Sequence, residues 1–302
     1  MRMRRTDLAL EARELWQERS GAASALPGVE AWDSFREGIL VNTVRVLDGQ
    51  GETALGKPRG SYITLTLEGL ASREEGIFQR AVRAVAGEIG QLLREVPPAG
   101  LVLVAGLGNR AITPDAVGPK VHQNTLVTRH LIRQMPEHFG ALRPVASVTA
   151  EVMGNTGMES GELVRAVCEK IGPACVVAVD ALASRSLKRL CKTVQIADTG
   201  ITPGSGVGNA RAALNAETLG VPVIAVGVPT VVDAATLTCD VLAEAGKGEL
   251  DPAALQGAGD GLIVTPKDID TQVHDLAKVI GYGINLALHT GLTIGDVELF
   301  LS

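Results

Sequence analysis

Three short apolar runs constrain the fold of this chain more than any other feature. They cover residues 101–105, 174–179 and 221–226, and each is followed directly by a glycine or an aspartate. A run that is apolar at every position is typical of a parallel strand covered by helices on both faces. Helical patterns at residues 117–135 and 161–171 lie between the first two runs. The sequence therefore predicts an α/β fold, a three-layer sandwich with a mostly parallel, mixed central sheet.

Further elements are predicted around these strands. Alternating apolar and polar residues predict strands at 41–47 and 62–67. Apolar residues at three- and four-residue steps predict a long helix over 73–94, and a last helix is expected to begin at Pro266 with Thr265 as its cap. The chain is interpreted as a single domain with a loose insertion around 243–261.

Composition excludes several classes of protein. Of 302 residues, 46% are hydrophobic, which is too many for a disordered chain. The net charge of −6 disfavours nucleic-acid binding, because that affinity comes from surplus lysine and arginine. The longest apolar stretch, 221–232, contains prolines and is too short to span a bilayer. The cysteines lack the spacing of a zinc or redox motif and are expected to be reduced. We therefore expect a soluble, cytoplasmic protein with no nucleic-acid or membrane partner.

Aspartates follow the predicted strands at the edge where ligands gather in parallel sheets. Asp115 lies in the loop after the first apolar run, Asp180 directly after the second, and Asp233 after the third. Asp198 follows a shorter predicted strand at 193–197. Two aspartates in one confined site can share a proton, so that one activates water and the other protonates a leaving group. The alternative for each aspartate alone is an ordinary helix cap or turn.

Other motifs carry less weight. The tripeptide 198–200 spells the Asp-Thr-Gly of pepsin-like proteases, but those proteins are all-β and need two copies. Asp198 is therefore interpreted as a loop organiser. We assign a supporting role at the site to Asp198 and Asp233. The glycines at 204–208 follow no strong strand-to-helix turn and lack the lysine of a phosphate-binding loop. The five histidines show no metal-ligand spacing. No cofactor is predicted, and metal stays an open alternative.

Five loop segments, taken together and in order, resemble the germination protease family of endospore-forming bacteria. The segments are 106–119, 154–162, 179–186, 198–209 and 227–236. The resemblance extends from about Arg5 to the last helix. It implies a phosphorylase/hydrolase-like fold, similar to that of hydrogenase-maturation peptidases, which use a metal site.

The resemblance also implies an activity. Family members are endopeptidases that degrade small acid-soluble spore proteins in the spore core when a spore germinates. They are treated as aspartic-type enzymes, and their two essential aspartates match Asp115 and Asp180. They are made as inactive precursors that remove a short N-terminal propeptide, and they assemble as homotetramers.

The N-terminal region contains the family's target pattern, an acidic residue followed by hydrophobic-Ala-x-Glu. Residues 6–11 read Thr-Asp-Leu-Ala-Leu-Glu. We therefore predict self-cleavage between Asp7 and Leu8, which releases a propeptide of residues 1–7 and leaves a peptidase domain of residues 8–302. The same residues also suit a capped helix start, with Thr6 as the cap.

An acidic residue before the cut is expected to need a basic pocket. Arg185, Lys188 and Arg110 lie in the predicted site loops and are candidates for it. Two other classes stay open, namely a metal-dependent peptidase on the same fold and a non-enzymatic module that binds spore proteins.

Overall fold

The sheet contains a parallel centre with antiparallel strands on one side. The structure, a computed structural model, describes residues 6–20, 26–208, 211–246 and 262–302. Its strands are β1 (Val29–Arg36), β2 (Ile39–Val46), β3 (Gly60–Thr66), β4 (Val102–Leu107), β5 (Val145–Ala150), β6 (Cys175–Ser184), β7 (Thr193–Ala197), β8 (Val223–Asp233) and β9 (Ile263–Val264). The strand order is β1-β2-β3-β7-β8-β6-β4-β5, with β9 paired to β8. β5, β4, β6 and β8 are mutually parallel, and all other pairings are antiparallel.

Helices cover both faces of this sheet. They are α1 (Ala9–Ser20), α2 (Gly49–Leu55), α3 (Glu68–Ala71), α4 (Ile77–Leu92), α5 (Val117–Gln123), α6 (Arg129–Gln134), α7 (Pro136–Phe139), α8 (Met153–Thr156), α9 (Ser160–Ile171), α10 (Ala216–Leu219), α11 (Ala234–Glu244), α12 (Ile269–Leu288) and α13 (Ile294–Leu301). Short 3-10 turns lie at Leu93–Glu95, Thr113–Asp115 and Ser205–Val207.

Strand β4 shows why the central runs are apolar at every position. Val102 and Val104 belong to the core formed with α4 and α12. The alternate residues Leu103 and Ala105 belong to the core formed with α9 on the other face. All four side chains are fully buried, as expected when helices cover both faces of a parallel strand. The predicted three-layer α/β architecture with a mixed sheet is confirmed.

Helix α5 packs against the sheet through two glycines. A Cβ atom added at Gly118 would lie 2.3 Å from the backbone nitrogen of Leu107 and 2.6 Å from the carbonyl oxygen of Val179. One added at Gly106 would lie 2.3 Å from the carbonyl oxygen of Gly118. The backbone of α5 therefore lies almost directly on β4 and β6, immediately after the turn that contains Asp115.

Three predicted helices have different bounds, and the one predicted over 73–94 spans Ile77–Leu92. The helix predicted over 117–135 stops at the end of α5, because a side chain from α12 hydrogen-bonds to backbone groups that a continuous helix would use. The Asn285 amide accepts from the N–H of Leu126 (2.8 Å) and donates to the carbonyl of Asn124 (2.9 Å). The last long helix begins at Ile269 rather than at Pro266, and Thr265 does not cap it, because the Thr265 hydroxyl donates to the carbonyl of Thr230 (2.9 Å).

The predicted insertion and the predicted propeptide both lie partly outside the described residues. The described part of the predicted insertion at 243–261 comprises the end of α11 and the residues up to 246, and the rest lies outside the described residues. Residues 1–5 of the predicted propeptide also lie outside them. Among the helices that the structure describes, none has the length and apolar character needed to cross a bilayer.

Candidate active site

The carboxyl ends of β4, β6 and β8 meet at one edge of the sheet because these strands are parallel and adjacent. Asp180 lies within β6, opposite Gly227 of β8. Asp115 lies in the 3-10 turn between β4 and α5. Both aspartates line the same cavity, which has a volume of about 630 Å³. The structure thus brings together two acidic residues that are 65 positions apart in the sequence.

Asp180 is the more buried of the two, with 4% of its surface exposed. Its carboxylate accepts a hydrogen bond from the N–H of Ala181 (2.9 Å). Burial raises the pKa of Asp180 well above the usual 3.8, and the charges of Asp115 and Asp7 raise it further, while the hydrogen bond opposes the shift. Asp180 is therefore suited to hold a proton where an ordinary aspartate has lost it.

Asp115 is held by the glycine-rich loop that follows β4. Its carboxylate accepts from the N–H of Asn109 (2.8 Å). Gly108 has φ +109°, and a Cβ atom there would lie 2.1 Å from the carbonyl oxygen of Asp115, so that only glycine fits. Burial raises the pKa of Asp115, the Asn109 hydrogen bond opposes this, and the charge of Glu151 adds to it. Both carboxyl groups thus favour the protonated form more than an exposed aspartate does.

The raised pKa of Asp180 has a consequence for stability. The folded protein keeps this proton at pH values where the unfolded chain has lost it, so stability falls as the pH rises from 3.8 through the raised pKa. Asparagine does not ionise, yet its oxygen can still accept from Ala181. We expect Asp180→Asn to have a higher Tm than the wild type at pH 7, with the difference shrinking towards pH 3.8. Calorimetry at both pH values checks this, and an equal Tm at pH 7 would contradict it.

The residue before the predicted cut also lies at this cavity. Asp7 lines the cavity together with Asp115 and Asp180. The backbone N–H of Asp7 donates to the carbonyl of Ala183 (2.9 Å), and its carboxylate accepts from the N–H of Ala183 (2.9 Å) and the hydroxyl of Ser205 (2.7 Å). The acidic side chain before the predicted cut is therefore bound by a backbone N–H and a hydroxyl group.

The carbonyl oxygen of Asp7, which belongs to the predicted scissile peptide bond, accepts two hydrogen bonds. They come from the ammonium group of Lys57 (2.8 Å) and the side-chain amide of Gln195 (3.2 Å). Burial lowers the pKa of Lys57, and the charges of Asp7 and Glu11 partly offset this. Two donors on one carbonyl oxygen polarise its C=O bond and make the carbon more susceptible to attack.

The three basic residues predicted to form a pocket do not line the cavity. The Arg185 guanidinium binds Glu18 (3.0 Å), the Arg110 guanidinium binds Glu151 (2.8 Å), and Lys188 is exposed. None of these three basic side chains is among the described residues that line the cavity, whereas Arg211 lines it. The sequence alone did not show this arrangement, because Arg185 and Arg110 are bound in the folded chain by acidic residues of other elements, including α1.

The two aspartates predicted as possible support also lie away from the cavity lining. Asp198 is at the opposite edge of the sheet, because β7 runs antiparallel to β8; its carboxylate accepts from the N–H of Ser61 (2.7 Å) and organises the loop. Asp233 precedes α11, and its carboxylate caps this helix by accepting from the N–H of Thr236 (3.0 Å).

Lys57, Gln195 and Ser205 were not predicted from the sequence. Gln195 could have been found, because it is a single amide within the buried strand β7. Lys57 lies in a glycine- and proline-rich connection that gives no such signal. Within the described residues, no cluster of three or more His, Cys, Asp and Glu side chains is arranged to hold a metal ion.

Comparison with known proteins assigns the chain to the peptidases. A family model described as germination protease matches residues 9–245 and 241–300. A germination protease from Caldanaerobacter subterraneus subsp. tengcongensis is 44% identical over 322 residues, which cover 98% of each chain. One from Clostridium perfringens is 40% identical and covers 99% of each chain. The chain belongs to the germination protease family, as the loop segments indicated.

Among solved structures, the chain is similar to the [NiFe] hydrogenase maturation protease HycI from Thermococcus kodakarensis KOD1. The TM-score is 0.36 at 16% sequence identity, and the match covers 65% of this chain and 98% of the other.

Proposed function

We propose that this protein is an aspartic-type endopeptidase that begins the degradation of small acid-soluble spore proteins during germination. Asp115 and Asp180 act as its catalytic carboxylate pair. The observation that carries this proposal is the cavity lined by both aspartates and by Asp7, the residue before the predicted cut. Membership of the germination protease family supports the same activity.

The reaction needs one ionised and one protonated carboxyl group. The ionised group takes a proton from water, whose oxygen attacks the carbonyl carbon of the residue before the cut. The protonated group donates to the amide nitrogen, the C–N bond breaks, and a carboxyl and an amine product form. Lys57 and Gln195 stabilise the negative charge that develops on the carbonyl oxygen of Asp7 during self-cleavage.

Self-cleavage between Asp7 and Leu8 would convert a precursor into the mature enzyme. The contacts that hold Asp7 at the cavity support this position. We also propose, from the family resemblance, that the enzyme works in the spore core as a homotetramer.

A peptide containing Thr-Asp-Leu-Ala-Leu-Glu tests the proposal. We expect the purified protein to cut it after the acidic residue, with or without EDTA, and to lose its own residues 1–7 on incubation. Mass spectrometry measures both products in one sample. Loss of cleavage with EDTA and recovery with added metal would indicate a metal-dependent peptidase. Binding of the peptide without any cut would indicate a non-enzymatic binding module.

A further inference from the structure

Glu11 has its own binding site in the loop that follows β6. Its side chain is 0% exposed. Its carboxylate accepts from the backbone N–H groups of Arg185 (2.7 Å) and Ser186 (3.1 Å), from the Arg189 guanidinium (3.3 Å), and from the Thr6 hydroxyl. A carboxylate so completely removed from water is stable only with partners of this kind.

The burial of residues 7–11 follows the family's target pattern. Leu8, Ala9 and Glu11, which occupy the fixed positions after the cut, are each 0% exposed, whereas Leu10, at the variable position, keeps 9%. Ala9 is fully buried in an apolar cluster, where a larger side chain would have to displace its neighbours. The Gln195 amide binds the backbone on both sides of the cut, since it accepts from the N–H of Ala9 (2.8 Å) and donates to Asp7. Ala9 and Glu11 therefore each lie in surroundings that suit the residue type at their position in the pattern.

Holding α1 in place does not by itself require a buried Glu11. Two other ion pairs already join α1 to the same loop, between Glu14 and Arg189 (2.6 Å) and between Glu18 and Arg185 (3.0 Å). A buried ion pair is often no more stabilising than an apolar residue of similar volume. The buried carboxylate is therefore better explained by recognition of a glutamate than by attachment of a helix.

We propose that residues Asp7–Glu11 occupy the subsites that take a substrate on either side of its scissile bond. Arg189, with the N–H groups of Arg185 and Ser186, forms the subsite for the glutamate four positions after the cut. This inference rests on the proposed endopeptidase function and adds a specificity-determining residue to it. A substrate must displace α1 from these subsites, so the segment that starts at Leu8 competes with substrate after self-cleavage.

The test uses the full-length protein and two peptides. One contains Thr-Asp-Leu-Ala-Leu-Glu and the other has glutamine in place of the final glutamate. We expect the wild type to favour the glutamate peptide by roughly 10- to 100-fold in kcat/KM, since the lost interaction is a charge-assisted hydrogen bond. In Arg189→Gln this preference should fall to within about threefold. The matched control, Glu18→Gln, removes another ion pair of α1 and should keep the preference.

Hydrogen exchange of the α1 amides provides a readout that does not depend on cleavage. The glutamate peptide should raise exchange in residues 9–20 of the wild type at a lower concentration than the glutamine peptide does. If no peptide is cut but this Arg189-dependent difference persists, the subsite stands and the proposed peptidase activity fails. If Arg189→Gln keeps the preference, if Glu18→Gln loses it equally, or if neither peptide affects α1, the subsite proposal is overturned.

Discussion

Asp180→Asn is expected to lower kcat/KM for the target peptide by roughly 1,000-fold or more, since a positioned acid or base contributes roughly 10²–10⁴-fold. Asparagine preserves the size of the side chain and can still accept from the N–H of Ala181, but it carries no titrating proton. The loss should appear mainly in kcat, because the residue exchanges protons in the transition state and does not hold the substrate. Steady-state kinetics with the purified variant measures it.

Asp115→Asn should give a loss of similar size, and the double variant should be little worse than either single one, because the two groups act as a unit. Asp198→Asn is the matched control. It changes a carboxylate that lies at the opposite edge of the sheet and binds the N–H of Ser61, so its kcat/KM should stay close to that of the wild type. Full activity in Asp180→Asn would refute the carboxylate pair.

Gly118→Ala is expected to destabilise the fold by about 3 kcal/mol, at the upper end for overpacking in a close-packed core. The new methyl group would lie 2.3 Å from both the backbone nitrogen and the carbonyl oxygen of Leu107. These backbone atoms belong to β4 and cannot move without disturbing the sheet. Urea unfolding, followed by circular dichroism, gives the change in the free energy of unfolding.

Gly118→Ala should also reduce the activity of the protein molecules that remain folded, because α5 begins two residues after Asp115. Gly90→Ala is the matched control. Gly90 lies in α4 with nothing within 4 Å of an added Cβ atom, so alanine there should be neutral or stabilising by up to about 1 kcal/mol. A Gly118→Ala protein as stable as Gly90→Ala would show that α5 packs less closely on β4 than the structure indicates.

The parallel core could be predicted because its strands are buried on both faces. β4, β6 and β8 are apolar at nearly every position, and short runs of this kind are typical of strands covered by helices on either side. The edge strands β1 and β5 were missed, because each is only partly buried and carries polar residues without a regular pattern.

The two aspartates of the candidate site could be predicted because each follows or ends an apolar run at the same edge of a parallel sheet. The contacts of the N-terminal segment could not. Asp7 binds Ala183 across 176 positions, and its carbonyl binds Lys57 from a connection without regular pattern. The partners of Arg185 and Arg110 likewise depend on packing between distant elements. The sequence therefore identifies the acidic residues of the site, whereas the positions of their hydrogen-bond donors are seen only in the folded structure.

The pH dependence of kcat/KM reports whether two carboxyl groups in one cavity share a single proton. Activity requires one ionised and one protonated group, and the pKa values of both Asp180 and Asp115 are raised above 3.8. A shared proton should give a bell-shaped profile with its maximum above pH 3.8 and a fall on the alkaline side while the protein remains folded. A profile that rises to a plateau and stays level in alkaline solution would contradict it.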